Sequence, residues 1–168
     1  ESINKVGEKL AFDRPLGKLP KSLKKLKLGT NFNHPLGKIP GQLKNLSVGD
    51  RYDQPFENLP DCLEILVLGE DFNQPLDHIP ENLRTLIMGK KYNQRLTNLS
   101  KNLEILVLGD DFNQPLYDII PSSLKTLILG KQFTYPLKCL NKNLSEQERG
   151  ALKCWKKKKR FYVGNEEG

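Results

Sequence analysis

The sequence predicts a repeat solenoid, a stack of equivalent coils that each contribute one short strand to a parallel sheet. Nearly the same phrase, aromatic-Asn/Asp-x-Pro-Leu, occurs seven times in 168 residues, with its aromatics at Phe12, Phe32, Tyr52, Phe72, Tyr92, Phe112 and Phe133. The spacing is twenty residues five times and twenty-one once, a period typical of units that bury their apolar faces only by stacking on one another. Each unit also carries a Leu-x-Leu alternation closed by glycine, which has the two-residue period of a strand.

Taking one unit in order, Leu63-x-x-Leu66-x-Leu68-Gly69-x-x-Phe72-Asn73-x-Pro75-Leu76-x-x-Ile79-Pro80 is followed by a restart at Leu83. The columns are apolar throughout: Leu23, Leu43, Leu63, Leu83, Leu103 and Leu124, then Leu26, Leu46, Leu66, Leu86, Leu106 and Leu127, then Leu28, Val48, Leu68, Met88, Leu108 and Leu129. Alternation turns these leucines to one face and the residues between them to the other. Strands are predicted at 26–28, 46–48, 66–68, 86–88, 106–108, 127–129 and 161–163. Gly29, Gly49, Gly69, Gly89, Gly109 and Gly130 mark the bend after each strand.

Twenty residues leave no room for a full helix on the return leg. Pro15, Pro35, Pro55, Pro75, Pro115 and Pro136, with Pro20, Pro40, Pro60, Pro80 and Pro121, favour extended or single-turn segments there.

These motifs resemble leucine-rich repeats, and among them the FNIP repeats, whose Phe-Asn-x-Pro signature is carried by Phe72-Asn73-Gln74-Pro75 and Phe112-Asn113-Gln114-Pro115. The resemblance covers residues 10 to 144. It implies an α/β-type leucine-rich repeat solenoid, right-handed, with parallel strands on a concave face and a convex face that is largely non-helical. It also implies kinship with proteins of amoebae and large DNA viruses, in which such an array often follows an F-box-like module. This sequence carries no such module.

Departures from the pattern locate ends and irregularities. Rung five has Arg95 and Ser100 where its neighbours have proline, and rung six has an extra residue at Ile119-Ile120; local bulges are expected at both. Ile3 to Gly7 reads as a degenerate first rung. After Leu144, Ser145-Glu146-Gln147-Glu148 is a capping box that predicts a helix over 146–157 with Leu152 and Trp155 on one face. Phe161-Tyr162-Val163-Gly164 imitates Leu106-Val107-Leu108-Gly109 and predicts a last strand. The chain is thus read as a single repeat domain, 1–168, with an N-terminal cap at 1–11, repeats at 12–144 and a C-terminal cap at 145–168.

Composition fits one domain. No secretory signal and no apolar run near ~18 residues argue for a membrane span. The chain opens on Glu1, as a fragment of a longer protein would. Cys62, Cys139 and Cys154 make no metal spacing and leave one thiol unpaired whatever the pairing, which points to a reducing intracellular compartment, the cytoplasm, or the host cytoplasm for a viral protein. A bridge between Cys139 and Cys154 stays open.

No nucleophile, base and orienter combine, so the chain is expected to be no enzyme and to need no cofactor or metal. His34 and His78 sit at unequal repeat positions and read as surface residues. The column Asp13, Asn33, Asp53, Asn73, Asn93 and Asn113 offers recurrent oxygens but lacks the clustered carboxylates of a calcium site; capping of backbone N–H groups in each turn is the reading adopted. The aromatic column reads as a stacked core spine.

Two surface columns alternate in sign. Lys44, Glu64, Arg84, Glu104 and Lys125 form one, after Lys24; Glu70-Asp71, Lys90-Lys91, Asp110-Asp111 and Lys131 form the other. On strands ~4.8 Å apart, opposite charges on successive rungs meet, and a slipped register would bring like charges together. Rungs three and five are near copies, as are four and six, which a forty-residue duplication explains.

The outward strand face changes along the array. Rungs one and two present Lys25, Lys27, Asn45 and Ser47, whereas rungs three to six present Ile65, Val67, Thr85, Ile87, Ile105, Val107, Thr126 and Ile128. A contiguous apolar stripe of this kind marks a partner or self-association surface. Charge segregates as well: residues 1–48 carry +7, residues 49–154 carry −3 and the last fourteen carry +3. The function expected is a protein-interaction scaffold that binds a protein partner, or a second copy, on the sheet of rungs three to six. The alternatives are a polyanion or nucleic-acid binder through Lys24, Lys25, Lys27 and Lys44, and the substrate-receptor part of a ubiquitin ligase. The run Lys156 to Arg160 reads as an edge guard against strand addition.

Overall fold

The computed structural model describes residues 13–136, together with the backbone of two strands at 153–156 and 159–162. Eight strands form one sheet in chain order: β1 (Lys25–Lys27), β2 (Asn45–Ser47), β3 (Ile65–Val67), β4 (Thr85–Ile87), β5 (Ile105–Val107), β6 (Thr126–Leu129), β7 (Lys153–Lys156) and β8 (Lys159–Tyr162). Pairing is parallel from β1 to β7, and β8 folds back antiparallel on β7. The leucine-rich-repeat-like parallel solenoid is therefore present.

Register is in step with the repeat. Leu26 pairs with Leu46, Leu46 with Leu66, Leu66 with Leu86 and Leu86 with Leu106, so every side chain sits beside its own equivalent. The strands begin one residue before the predicted windows. Leu68 N–H still donates across the sheet to Ile87 C=O at 2.8 Å, but Gly69 then turns the chain out of the ladder, so the strand is centred on the first leucine of the pair. Flanking residues continue the joint: Asp71 N–H donates to Asp50 C=O, and Lys91 N–H to Glu70 C=O.

From Gly49 onward the closing glycines answer to space. Their φ angles are not left-handed; the positive values belong to Gly37 and Asp118. A Cβ on Gly69 would penetrate the carbonyl oxygen of Gly49, and one on Gly89 that of Gly69; Gly109 and Gly130 stand in the same relation to the glycine before them. Backbones of successive coils touch here, and no side chain fits between them.

The core is the predicted one. Leu43, Leu63, Leu83 and Leu103, with Leu46, Leu66, Leu86, Leu106 and Leu127, have no exposed surface. Beside them runs the aromatic spine, Phe32, Tyr52, Phe72, Tyr92, Phe112 and Phe133, with successive ring centroids 6.1–6.3 Å apart and planes within 8° of parallel. That is offset stacking, the favoured arrangement for aromatic quadrupoles. Phe56 lies against both Tyr52 and Phe72.

Three expectations are corrected. The helix read over 146–157 does not hold at its end, where 153–156 are β7; residues 146–152, like the degenerate first rung, lie outside the described residues. The bare edge of β6 offers unpaired N–H and C=O groups, and pairing them outweighs local helix preference. The last strand is present at 159–162 rather than 161–163, and it is the return arm of a hairpin instead of a further coil. Rung five makes no bulge. Ser100 is buried in the proline position, its hydroxyl donates to Glu81 C=O, and Leu103 N–H closes on Ser100 C=O at 3.1 Å as Leu83 N–H closes on Pro80 C=O. Rung six does absorb its extra residue in a turn at 117–119, with Asp118 at φ 59°.

Candidate interaction face

β1 to β5 are three residues long, and from β2 to β5 the middle residue is core. The outer two form rows that run across the sheet. One row passes from Lys27 and Ser47 to Val67, Ile87, Val107 and Ile128; the other passes from Lys25 and Asn45 to Ile65, Thr85, Ile105 and Thr126. All eight predicted stripe residues are thus brought together on one face. Ile105 is 38% exposed; Ile65, Val67, Thr85, Ile87, Val107, Thr126 and Ile128 are half-buried. The stripe is contiguous and shallow.

Sequence reasoning missed that β7 and β8 extend both rows. Lys153 pairs with Thr126 and Trp155 with Ile128; Tyr162 then pairs with Lys153, and Arg160 with Trp155. The signal available was the alternation Leu152-Lys153-Cys154, which has strand period, but the capping box upstream suggested a helix.

Charges line the margin of the face. Lys44 Nζ lies 2.6 Å from Glu64, Arg84 lies 2.7 Å from Glu104, and Lys125 Nζ lies 2.7 Å from the other oxygen of Glu104. After the glycines, Lys91 meets Asp71 at 2.8 Å and Lys131 meets Asp110 at 2.9 Å. The predicted columns are thus paired at these steps, from β2 to β3, from β4 to β5 and from β5 to β6 on one margin and at two steps on the other. The Lys44 hydrogen bond and charge hold the Glu64 carboxyl below its ordinary range, and Lys125 and Arg84 do the same for Glu104. The carboxylates raise Lys44, Lys91 and Lys131 in return. Of the four lysines read as polyanion contacts, Lys44 is engaged with Glu64, while Lys24, Lys25 and Lys27 are exposed and take no part in these pairs.

The Asn/Asp column caps a neighbour rather than its own turn. Asn33 Oδ1 accepts from Asp53 N–H at 3.0 Å and from the Gln54 side-chain amide at 3.1 Å. Asp53 serves Asn73 and Gln74, Asn73 serves Asn93 and Gln94, and Asn93 serves Asn113 and Gln114 in the same way. The series ends with Asn113 accepting from the backbone and hydroxyl of Thr134. These oxygens are occupied as acceptors, so the column belongs to the fold. The glutamines, to which sequence reasoning gave no role, complete it; their fixed place after Asn or Asp was the available clue. His34 lies 3.1 Å from Asp13, and His78 lies 3.8 Å from Asp61 on an exposed return leg. Among the described residues no three His, Cys, Asp or Glu side chains gather as metal ligands, and no helix is long and apolar enough to cross a membrane.

Comparison with known proteins bears on this array. No curated protein matches the sequence. The crystal structure of CroV588, titled a novel circular LRR protein structure, superposes with a TM-score of 0.71 at 32% identity over 76% of this chain. The match spans 20% of that chain, so the present sequence corresponds to a fraction of its length. The FNIP Repeat model matches residues 12–50, 52–91 and 92–132, the same coils whose Phe-Asn-x-Pro segments form the spine and the amide ladder. The chain belongs to the FNIP repeat family.

Proposed function

We propose that the chain is a non-enzymatic scaffold that docks a protein partner on the outer face of β3 to β6. The observation that supports this reading is the pair of in-register rows, in which Ile65, Val67, Ile87, Ile105, Val107 and Ile128 are gathered with two threonines where an exposed sheet face is ordinarily polar. The strand backbones are hydrogen-bonded within the sheet, so recognition falls to side chains. The free thiol of Cys62, which donates to Gly41 C=O, suits an intracellular setting.

The test is Val67→Glu with Ile87→Glu and Val107→Glu. These side chains point away from the leucine core, so circular dichroism should still show the folded sheet, with a melting temperature lowered by like charges on adjacent strands, while cross-linked partner capture is lost. Retained capture would move the site off this face, and unfolding would show the row to be core.

A second reading has its own support: Lys24, Lys25 and Lys27 are exposed and outside the ion-pair ladders. If they held a polyanion, replacing them and Lys44 by Ser would weaken binding and flatten its salt dependence, since fewer counterions would be released.

A further inference from the structure

The two rows of the strand face end alike. The row containing Val67, Ile87 and Val107 starts at Lys27 and finishes at Trp155 and Arg160; the row containing Ile65 and Ile105 starts at Lys25 and finishes at Lys153 and Tyr162. Each row thus has a cation towards either end and an apolar middle, and neither contains an acidic residue on any of the eight strands. On the margin that precedes the strands, Glu64 and Glu104 are already paired to Lys44, Arg84 and Lys125. Residues directly opposite across paired strands share a face, so this polarity is a property of the register.

Resting on the docking face proposed above, we infer that its occupant is an extended peptide segment laid across the strands, apolar in the middle and acidic at both ends. At ~4.8 Å between strands, β1 to β8 spans roughly 34 Å, the length of about ten extended residues. The face is about 10 Å wide at ~3.3 Å per residue, a width that suits one chain rather than a globular surface.

Two competitors fit less well. A nucleic acid carries phosphates along its whole length, and those over the middle would lie against Val, Ile and Thr with no cation in either row to meet them. A second copy docked face to face would set cationic ends against cationic ends, in either direction along the rows. An acidic–apolar–acidic segment meets each part of the face with its complement.

The experiment is a display selection of random peptides of about twelve residues against the whole chain, followed by affinity measurements on synthetic winners at two salt concentrations. The expected winners carry Asp or Glu at both ends around apolar residues. Their affinity should fall about tenfold for Lys25→Glu with Lys27→Glu, fall similarly when the acids are moved to the middle, and decline with salt. Lys153→Gln with Arg160→Gln probes the other end, and the β1 pair keeps the test decisive if the hairpin variant misfolds. Winners without acids, winners indifferent to the lysine reversals, winners displaced by a single-stranded oligonucleotide, or no enrichment would each overturn the inference. If winners indifferent to the reversals are still lost on Val67→Glu with Ile87→Glu and Val107→Glu, the docking face stands and only its partner's chemistry falls.

Discussion

The side-chain oxygen of Asn73 lies 2.9 Å from the backbone nitrogen of Asn93, twenty residues later, and also receives the amide of Gln94. One atom therefore satisfies two donors of the next coil, and at this column asparagine and aspartate are interchangeable because only the acceptor is used. Asn73→Asp should leave stability within about 0.5 kcal/mol of wild type, whereas Asn73→Ala strands the Asn93 N–H and should cost about 1–3 kcal/mol. Denaturant midpoints of the two variants check this, and equal losses would remove the ladder from the account.

At the glycine column the constraint is steric. Gly69→Ala would drive a methyl into the Gly49 carbonyl, with an expected loss of about 3 kcal/mol or more as the coils are pushed apart. Gly41→Ala meets nothing within 4 Å and should change stability by less than about 0.5 kcal/mol. Comparable urea midpoints for the two alanines would refute close coil contact as the reason for glycine.

The hydroxyls of Tyr52 and Tyr92 are buried without a hydrogen-bond partner. Phe32, Phe72 and Phe112 show that the spine accepts the unsubstituted ring, so Tyr52→Phe and Tyr92→Phe should each stabilise by about 1 kcal/mol. Burial raises both phenols well above their ordinary value of 10.0, with Asp77 adding to the effect at Tyr92. A raised pKa contributes stability that is whole below the unfolded value near ~10 and is lost as pH climbs above it. The double phenylalanine variant should therefore resist alkaline unfolding better than wild type, as followed by circular dichroism against pH; identical alkaline midpoints would contradict it.

Acid acts through the margin. Glu64 and Glu104 are held low by their cations, so their stabilisation is present above the unfolded value near ~4.3 and disappears as pH falls through the lower folded values. Glu64→Gln with Glu104→Gln should weaken the fold slightly at neutral pH, by an amount that shrinks in high salt, and should flatten the acid limb of a melting-temperature profile. An unchanged acid limb would mean the pairs contribute nothing measurable, as many exposed pairs do.

The coils, their register, the leucine core and the aromatic spine were legible in the sequence because each is a column, read once and multiplied by stacking. The stripe was legible for the same reason: Val67, Ile87 and Val107 recur at one position. What escaped reading depends on contacts between coils rather than within one. Asn73 looks like a turn residue until the next coil is seen to supply its donors, and Gly69 looks like a bend until the Gly49 carbonyl is placed against it. Lys153 to Lys156 escaped because a capping box is a local signal, and the unpaired edge of β6 that recruits a strand is not.

The marginal charges run Lys44, Glu64, Arg84, Glu104, Lys125, and the spine runs Phe32, Tyr52, Phe72, Tyr92, Phe112, so both have a period of two coils. Excising residues 81–100 would set Glu64 beside Glu104. Excising 61–80 would set Lys44 beside Arg84 and stack the two unpartnered phenols, Tyr52 and Tyr92, directly on each other. Excising both coils together restores Lys44 beside Glu104 and Tyr52 beside Phe112. Between the second and sixth rungs the array therefore has parity: losing two coils keeps the alternation of charge, and losing one leaves a seam of like charge on its margin.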